Sequence, residues 1–304
     1  MKRVLPAAVS LGILTAIYWR LDLAHFRDVL VSVRLSWLLA GLALTIPTTL
    51  LSAWRFQRLA PRRAGIRLGE SVKLTLVASV LNMVLPSKMG DLSKAWFTTR
   101  RGHLEGGPAL SLVLFEKACD MLALLAWCVF GLVRTSVAPP LLTAAVVSAG
   151  GLGALLMVSP RFAQAVLRPV GRLREAWGAV QVQVLSNRAL ALGIAALSML
   201  LWLLHLLQIW LFIEALGGGV PLLPSLALTP LAILAGLLPL TLAGIGTRDA
   251  ALIFFYRAYF APPVGAALGL LCTLRYVLPA LAGVPFLSEM ARGGRAPSRP
   301  ANRS

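Results

Sequence analysis

The fold is decided by a break in an apolar segment, Leu85-Pro86-Ser87-Lys88-Met89-Gly90-Asp91-Leu92-Ser93-Lys94. A second break of the same kind lies in the other half of the chain, Pro239-Leu240-Thr241-Leu242-Ala243-Gly244-Ile245-Gly246-Thr247-Arg248-Asp249. In both stretches proline and glycine interrupt apolar residues, and charged side chains follow at once. Interrupted hydrophobic segments at corresponding positions of two halves indicate the substrate site of a membrane transporter.

Composition places the bulk of the chain in lipid. Hydrophobic residues make up 58% and charged residues 13% of the 304, whereas a soluble domain carries about 25% charged residues. The net charge of +18 does not indicate a nucleic-acid partner, because the bases lie in short loops between apolar runs. The three cysteines are interpreted as small buried hydrophobes, and the three histidines lack metal-ligand spacing. We therefore expect neither a metal nor a cofactor.

Apolar runs predict an all-α, polytopic membrane protein, since about 20 apolar residues cross a bilayer. The segment from Leu21 to Arg34 is predicted to be a helix on the membrane surface, and residues 292–304 a disordered basic tail. Six full spans are expected: Val4–Trp19, Leu35–Ala53, Pro108–Val133, Leu141–Val158, Ala189–Leu216 and Val264–Met290.

The distribution of basic residues predicts that the two broken segments are re-entrant hairpins. The regions Arg55–Lys73 and Lys88–Arg101 hold six and four bases and flank one short apolar segment. Because bases accumulate on the cytoplasmic side, that segment should enter and leave from the cytoplasm. The loop Gly217–Pro221 should be external, so the stretch Leu222–Phe260 becomes a hairpin from outside. Eight full spans are the alternative.

This arrangement divides a transmembrane domain of residues 1–291 into two inverted halves, about 1–158 and 159–291. Both termini are expected in the cytoplasm, in the inner or plasma membrane of a cell. The partners expected are the bilayer and a lipid substrate, and a homo-oligomer or enzymes of an envelope pathway stay open.

Charged residues inside the span Pro108–Val133 are candidates for function. Glu116 and Asp120 are four residues apart and share a helix face, and Lys117 lies about 100° round the axis. Like charges on one face of a membrane helix need partners. The alternative is that these charges lie at the membrane surface and are solvated. The candidate partners are Lys88, Lys94, Arg248 and Arg275.

The breaks are predicted to bind an anion. A broken helix exposes backbone N–H groups at the start of its second half, where they and the helix dipole attract negative charge. Arg275 lies in the middle of the last span and should face a cavity or an acidic partner. The other interpretation is that both breaks are surface loops. Arg55 and Arg58 could touch the substrate, but we favour cytoplasmic anchors for both. The candidate substrate-binding residues are Lys88, Gly90, Asp91, Glu116, Asp120, Gly244, Gly246, Arg248, Asp249 and Arg275.

These stretches resemble the lysylphosphatidylglycerol synthase transmembrane family, also called the flippase-like domain. The resemblance covers about Val4 to Met290, and Arg275-Tyr276 falls where the family tends to place an arginine. Ser87-Lys88 replaces the frequent Gly-Arg of the family, but lysine still supplies a cation. The motifs that carry the resemblance are Leu81–Asp91, Val113–Asp120 and Pro239–Asp249.

The resemblance implies transport of an anionic or polyprenyl-linked lipid between leaflets, without enzymatic activity. Bifunctional members of the family add a soluble domain that transfers an aminoacyl group from tRNA to a phospholipid. This chain ends soon after its last predicted span, so we expect it not to make aminoacyl lipid. Two alternatives stay open: a membrane transferase with Glu116 or Asp120 as base, and a non-catalytic scaffold of an envelope pathway.

Overall fold

The computed structural model describes residues 10–13, 15, 19, 22–135, 140–237 and 246–292, apart from the side chains at 86–88, 141, 291 and 292. The structure is 85% helical and the described residues contain no strand, which confirms the all-α prediction. Two 3₁₀ turns, Arg62–Ala64 and Pro86–Leu92, connect helices. The α-helices of the described part are α1 Leu23–Val31, α2 Leu35–Ala43, α3 Thr45–Leu59, α4 Leu68–Val84, α5 Ser93–Arg100, α6 Gly106–Arg134, α7 Pro140–Val158, α8 Pro160–Val166, α9 Gly171–Leu185, α10 Arg188–Ala215, α11 Leu222–Gly236, α12 Thr247–Phe255 and α13 Pro262–Arg292.

In the described part of the chain, three helical segments are long and apolar enough to cross a membrane. They are Leu35–Leu59, Arg188–Ala215 and Pro262–Met290. A fourth forms if Leu142–Val158 and Pro160–Val166, which meet at 107°, are one bent span. All of these coincide with predicted spans, so the corresponding predictions are confirmed at the level of length and composition.

Two further predicted spans need comment. Helix α6 is a single helix of 29 residues, as predicted, but Glu116, Lys117 and Asp120 interrupt its apolar sequence. The predicted span Val4–Trp19 and the tail from residue 293 lie largely or wholly outside the described residues. The total of six spans therefore stays a prediction.

The first break forms a helical hairpin. Helix α4 ends at Val84, the 3₁₀ turn Pro86–Leu92 reverses the chain, and α5 packs back against α4. Gly90 is buried in this turn, and a Cβ at this position would collide with the backbone N of Asn82. The Asn82 Nδ2 donates to Asp91 Oδ1 at 3.2 Å. Only glycine allows the turn to approach α4 this closely.

The second break joins two helices that also pack against each other. Helix α11 ends at Gly236, and a Cβ on this residue would lie 2.7 Å from Cβ of Arg248 in α12. Gly246 begins α12 with a φ of 100°, a conformation that favours glycine. The connecting residues 238–245, which include Gly244, lie outside the described residues.

Two apolar cores lie at opposite ends of the molecule. The first, here the Phe56 core, includes Phe56, Leu74, Phe115, Trp177 and Met290 from α3, α4, α6, α9 and α13. The second, here the Phe212 core, includes Leu124, Leu206, Phe212, Leu252 and Leu271 from α6, α10, α12 and α13.

Three long helices run from one core to the other. Helix α6 contributes Phe115 to the Phe56 core and Leu124 to the Phe212 core, and α10 and α13 also contribute to both. Polar residues occupy the middle of each helix: Glu116 to Asp120 on α6, Ser198 and Trp202 on α10, and Arg275 and Tyr276 on α13. A polar layer therefore separates the two cores.

The predicted cytoplasmic regions lie together at the Phe56 end. The Lys73 ammonium contacts Glu289 at 2.7 Å, which joins α4 to the end of α13, and Arg101 bridges to Glu70 at 3.1 Å. The Gln183 amide donates to the Leu59 carbonyl, which places α9 beside the end of α3. The basic regions that the sequence assigns to one side are therefore neighbours.

Candidate functional site

A polar cavity of about 210 Å³ lies in the layer between the two cores. It is bounded by α3, the first hairpin, α6, α10 and α13. Glu116 lies directly behind this wall and is fully buried. The polar residues of the wall are Thr45, Thr48, Thr49, Ser52, Arg55, Thr75, Ser79, Asn82, Asp91, Lys94, Lys117, Asp120, Trp202, His205, Gln208, Arg275 and Tyr276.

Six charged side chains form a continuous chain of ion pairs on one side of the cavity. Lys117 contacts Asp91 at 2.7 Å and Asp120 at 3.1 Å. Arg55 contacts Asp120 at 2.6 Å and Glu116 at 3.4 Å. The order of charges is Asp91, Lys117, Asp120, Arg55, Glu116 and Lys94.

The chain is balanced and begins and ends on the first hairpin. Its last pair joins Lys94 of α5 to Glu116 at 3.0 Å, with both side chains buried. The Lys94 ammonium also lies 5.1 Å from the ring centroid of Phe56. Three bases and three carboxylates compensate each other, as buried charges must to avoid a large desolvation cost.

Arg275 on the opposite wall has no carboxylate partner. All eleven acidic residues of the chain lie in the described part, and none forms an ion pair with Arg275. Its guanidinium donates to Tyr276 Oη at 2.6 Å and to Gln208 Oε1 at 3.4 Å, and Nε has no partner. The residue is 5% exposed. It therefore supplies an uncompensated buried positive charge.

The rest of the wall carries hydroxyl and amide groups at helical spacing. One face of α3 carries Thr45, Thr48, Thr49 and Ser52 before Arg55. One face of α4 carries Thr75, Ser79 and Asn82. Several hydroxyls are already bonded to the carbonyl of the preceding turn, for example that of Thr49 to Thr45 at 2.7 Å. Thr75 Oγ1 and Asn82 Oδ1 are buried without a partner.

The structure brings together part of the predicted site. Asp91, Asp120 and Arg275 line the cavity and Glu116 supports its wall. Gly90 shapes the turn that presents Asp91. The side chain of Lys88 and the whole of Gly244 lie outside the described residues.

The other predicted residues lie apart from the cavity wall. Arg248 is buried and donates to Asp249 at 2.7 Å, to the Gly269 carbonyl at 2.8 Å and to Thr273 Oγ1 at 3.0 Å. Asp249 in turn accepts from the N–H of Gly246 at 3.0 Å. These contacts hold the start of α12 against Gly269 and Thr273 of α13. Thr273 lies two residues before Arg275. Among the described residues, this group contacts α13 and not the cavity wall.

The charge chain corrects one sequence prediction and selects among the candidate partners of Glu116. Arg55, favoured as a cytoplasmic anchor, is 1% exposed and bridges Glu116 and Asp120. Of the predicted candidates, Lys94 contacts Glu116, whereas Arg248 pairs with Asp249. Lys117 joins Asp91 to Asp120. The alternative that the charges are solvated at the membrane surface is wrong for Glu116, which is fully buried.

Among the residues that the structure describes, no group of three His, Cys, Asp or Glu side chains has an arrangement that would hold a metal ion.

The family model of the lysylphosphatidylglycerol synthase TM region matches residues 3–283 of the 304-residue chain. No curated protein matches the chain. Since the matched region covers most of the sequence, the chain belongs to this family, as the three motifs predict. It is therefore a membrane protein of lipid metabolism or transport.

Proposed function

We propose that this member of the lysylphosphatidylglycerol synthase transmembrane family moves a lipid between the two leaflets of a membrane. The headgroup passes through the polar cavity while the acyl chains remain in the bilayer. The observation that carries the proposal is the polar layer between two apolar cores, with Arg275 uncompensated in its wall. Charged side chains at such positions in membrane helices mark substrate pathways.

The depth of the charged residues supports this role. Glu116 lies about 15 Å along α6 from its start at Gly106, given the rise of 1.5 Å per residue. Arg275 lies about 20 Å along α13 from Pro262 by the same measure. The hydrocarbon core of a bilayer is about 30 Å thick. Both residues therefore lie more than two helical turns inside their helices, away from the helix ends.

The state of the carboxylates favours transport over catalysis. Asp120, a candidate base, is held by Arg55 and Lys117, and Glu116 is held by Arg55 and Lys94. Both carboxylates are therefore engaged by cations and are not free to act on a substrate. We therefore propose that the protein is not an enzyme, and that these acids balance the cavity bases.

The proposed location is the inner or plasma membrane, with the basic Phe56 end and both termini in the cytoplasm. The cluster of bases at this end, including Arg58, Arg62 and Arg63, fits the positive-inside rule. Of the two hairpins expected from opposite sides of the membrane, the first lines the cavity, whereas the described residues of the second contact α13.

The test is lipid redistribution by the purified full chain in liposomes. Fluorescent phospholipid is placed in both leaflets, and an impermeant reductant then bleaches the outer leaflet. The protein should let the inner pool become accessible, and mass spectrometry should find the lipid unchanged. A changed lipid mass would identify an enzyme, and neither change would identify a scaffold. Either result contradicts the proposal.

A further inference from the structure

We propose that the cavity is built for one class of headgroup: a phosphodiester with a single negative charge and several hydroxyls. Glycerol and sugar headgroups of this type occur on glycerophospholipids and on polyprenyl phosphates, and both present the same chemistry. This inference rests on the proposed function and specifies its cargo. It follows from the charges and the unpartnered polar atoms of the described wall.

The charge of the cavity sets the charge of the headgroup. Four cations and three carboxylates surround the cavity among the described residues, and the ion-pair chain leaves only Arg275 uncompensated. Its planar guanidinium suits a phosphate, and Nε has no partner. One negative charge balances the site. A diphosphate or a phosphate monoester would bring additional negative charge close to Asp91 and Asp120.

An amine on the headgroup is disfavoured for the opposite reason. An ammonium group that leaves water needs a carboxylate. Both acids that line the cavity are occupied, Asp91 by Lys117 and Asp120 by Arg55 and Lys117. An aminoacyl or ethanolamine headgroup therefore finds no acid of its own.

The unpartnered polar atoms call for hydroxyl groups. Thr75 Oγ1 and Asn82 Oδ1 are buried and have no hydrogen-bond partner. Pro279 also lines the cavity, and because proline has no N–H it cannot bond the carbonyl of Arg275 one turn earlier. The wall thus offers acceptors beside the cation. A headgroup hydroxyl donates to such acceptors while the phosphate accepts from Arg275.

The size of the cavity limits the cargo to its headgroup. Its volume of about 210 Å³ is below the range of about 300–1,000 Å³ for pockets that enclose a drug-sized ligand. A glycerol or a single sugar is of suitable size, and the lipid chains must stay outside.

The test is equilibrium binding to the full chain in detergent micelles, by competition with radiolabelled phosphatidylglycerol. Competitors are phosphatidylglycerol, phosphatidylmethanol, phosphatidylethanolamine, a polyprenyl phosphohexose and a polyprenyl diphosphohexose. Phosphatidylmethanol has the same charge as phosphatidylglycerol without hydroxyls, and we expect it to bind about two- to tenfold more weakly. Phosphatidylethanolamine and the diphosphate should also bind more weakly. Whichever of phosphatidylglycerol and the polyprenyl phosphohexose binds more tightly identifies the class of lipid that carries the headgroup.

Two variants assign the contacts. Arg275→Gln should weaken binding of both monoanionic lipids at least about tenfold, whereas Arg100→Gln, whose guanidinium lies over the ring of Trp96 outside the cavity, should not. Thr75→Val should reduce the preference for phosphatidylglycerol over phosphatidylmethanol and leave phosphatidylmethanol binding unchanged. This second variant keeps the proposal testable if Arg275→Gln fails to fold.

Equal binding of phosphatidylmethanol and phosphatidylglycerol, or tighter binding of the diphosphate or the amine lipid, would overturn the inference. The inference would also be overturned if neither phosphatidylglycerol nor the polyprenyl phosphohexose binds. Translocation of lipids without headgroup preference would refute this inference and leave the proposed function standing. Headgroup preference without translocation would support this inference and refute the proposed function.

Discussion

At the residue scale, a buried carboxylate requires cations, and Glu116 has two. Lys94 and Arg55 approach it from α5 and α3, so the acid joins the first hairpin to the bundle. Each of the three side chains is at most 2% exposed. Removing one member leaves a buried charge uncompensated, whereas removing a matched pair leaves the balance intact.

We expect Glu116→Gln to destabilise the protein by about 3–5 kcal/mol, the usual cost of breaking a buried ion pair. Adding Lys94→Met should restore part of this loss. The measurement is thermal or denaturant unfolding in detergent, analysed as a double-mutant cycle. The control is Glu105→Gln, an exposed glutamate just before α6, which should have little effect. Simple additivity of the Glu116 and Lys94 effects would show that the two residues are not coupled.

Much of this site is visible in the sequence, because charges inside an apolar run are conspicuous. Glu116, Asp120 and Arg275 stand out for this reason. Arg55 was assigned wrongly because it follows the apolar run in a basic cluster, where an anchor and a buried ion pair have the same local sequence. The signal that identifies it is the polar stripe Thr48, Ser52 and Arg55, which follows one face of α3.

At the element scale, the first hairpin depends on one close approach. Gly90 lies against the backbone of α4, and the next residue is Asp91, the first member of the charge chain. The turn therefore fixes both the packing of the hairpin and the position of a carboxylate in the cavity wall. The two breaks of the sequence predict these hairpins, but they do not predict which hairpin lines the cavity.

We expect Gly90→Ala to lower stability by about 1–3 kcal/mol, the range for overpacking a tight site. The new methyl group collides with the Asn82 backbone, so the turn must move away from α4 and carry Asp91 away from Lys117. The thermal midpoint in detergent measures the effect. Gly69→Ala in α4 is the matched control, because a Cβ there meets nothing within 4 Å. An unchanged midpoint for Gly90→Ala would contradict the observed packing.

At the scale of the whole molecule, the ends of the structure differ in charge. The Phe56 end gathers the basic loops, and the loop Gly217–Pro221 lies at the other end, where a Cβ on Gly218 would be 3.3 Å from Phe260. Charge asymmetry of this kind orients a membrane protein. The distribution of basic residues in the sequence predicts which side of the membrane each end faces.

We expect an impermeant thiol reagent to label a cysteine at the exposed Pro221 from outside the cell and a cysteine at the exposed Arg63 only after the membrane is opened. The background is a variant that lacks Cys119, Cys128 and Cys272. Reaction at Arg63 in intact cells would reverse the orientation. Equal labelling of both positions would contradict the placement of the two loops at opposite ends.

The proline in the cavity wall has a mechanical consequence. Helix α13 is anchored in both cores, and at Pro279 its ladder lacks one hydrogen bond, so bending costs least at the level of the cavity. A bend of α13 at this level would move Arg275 relative to the other helices of the cavity. Pro279→Ala restores the bond and should slow lipid redistribution more than it weakens headgroup binding. The residue that leaves a carbonyl free for the headgroup thus also makes α13 easier to bend beside the cavity.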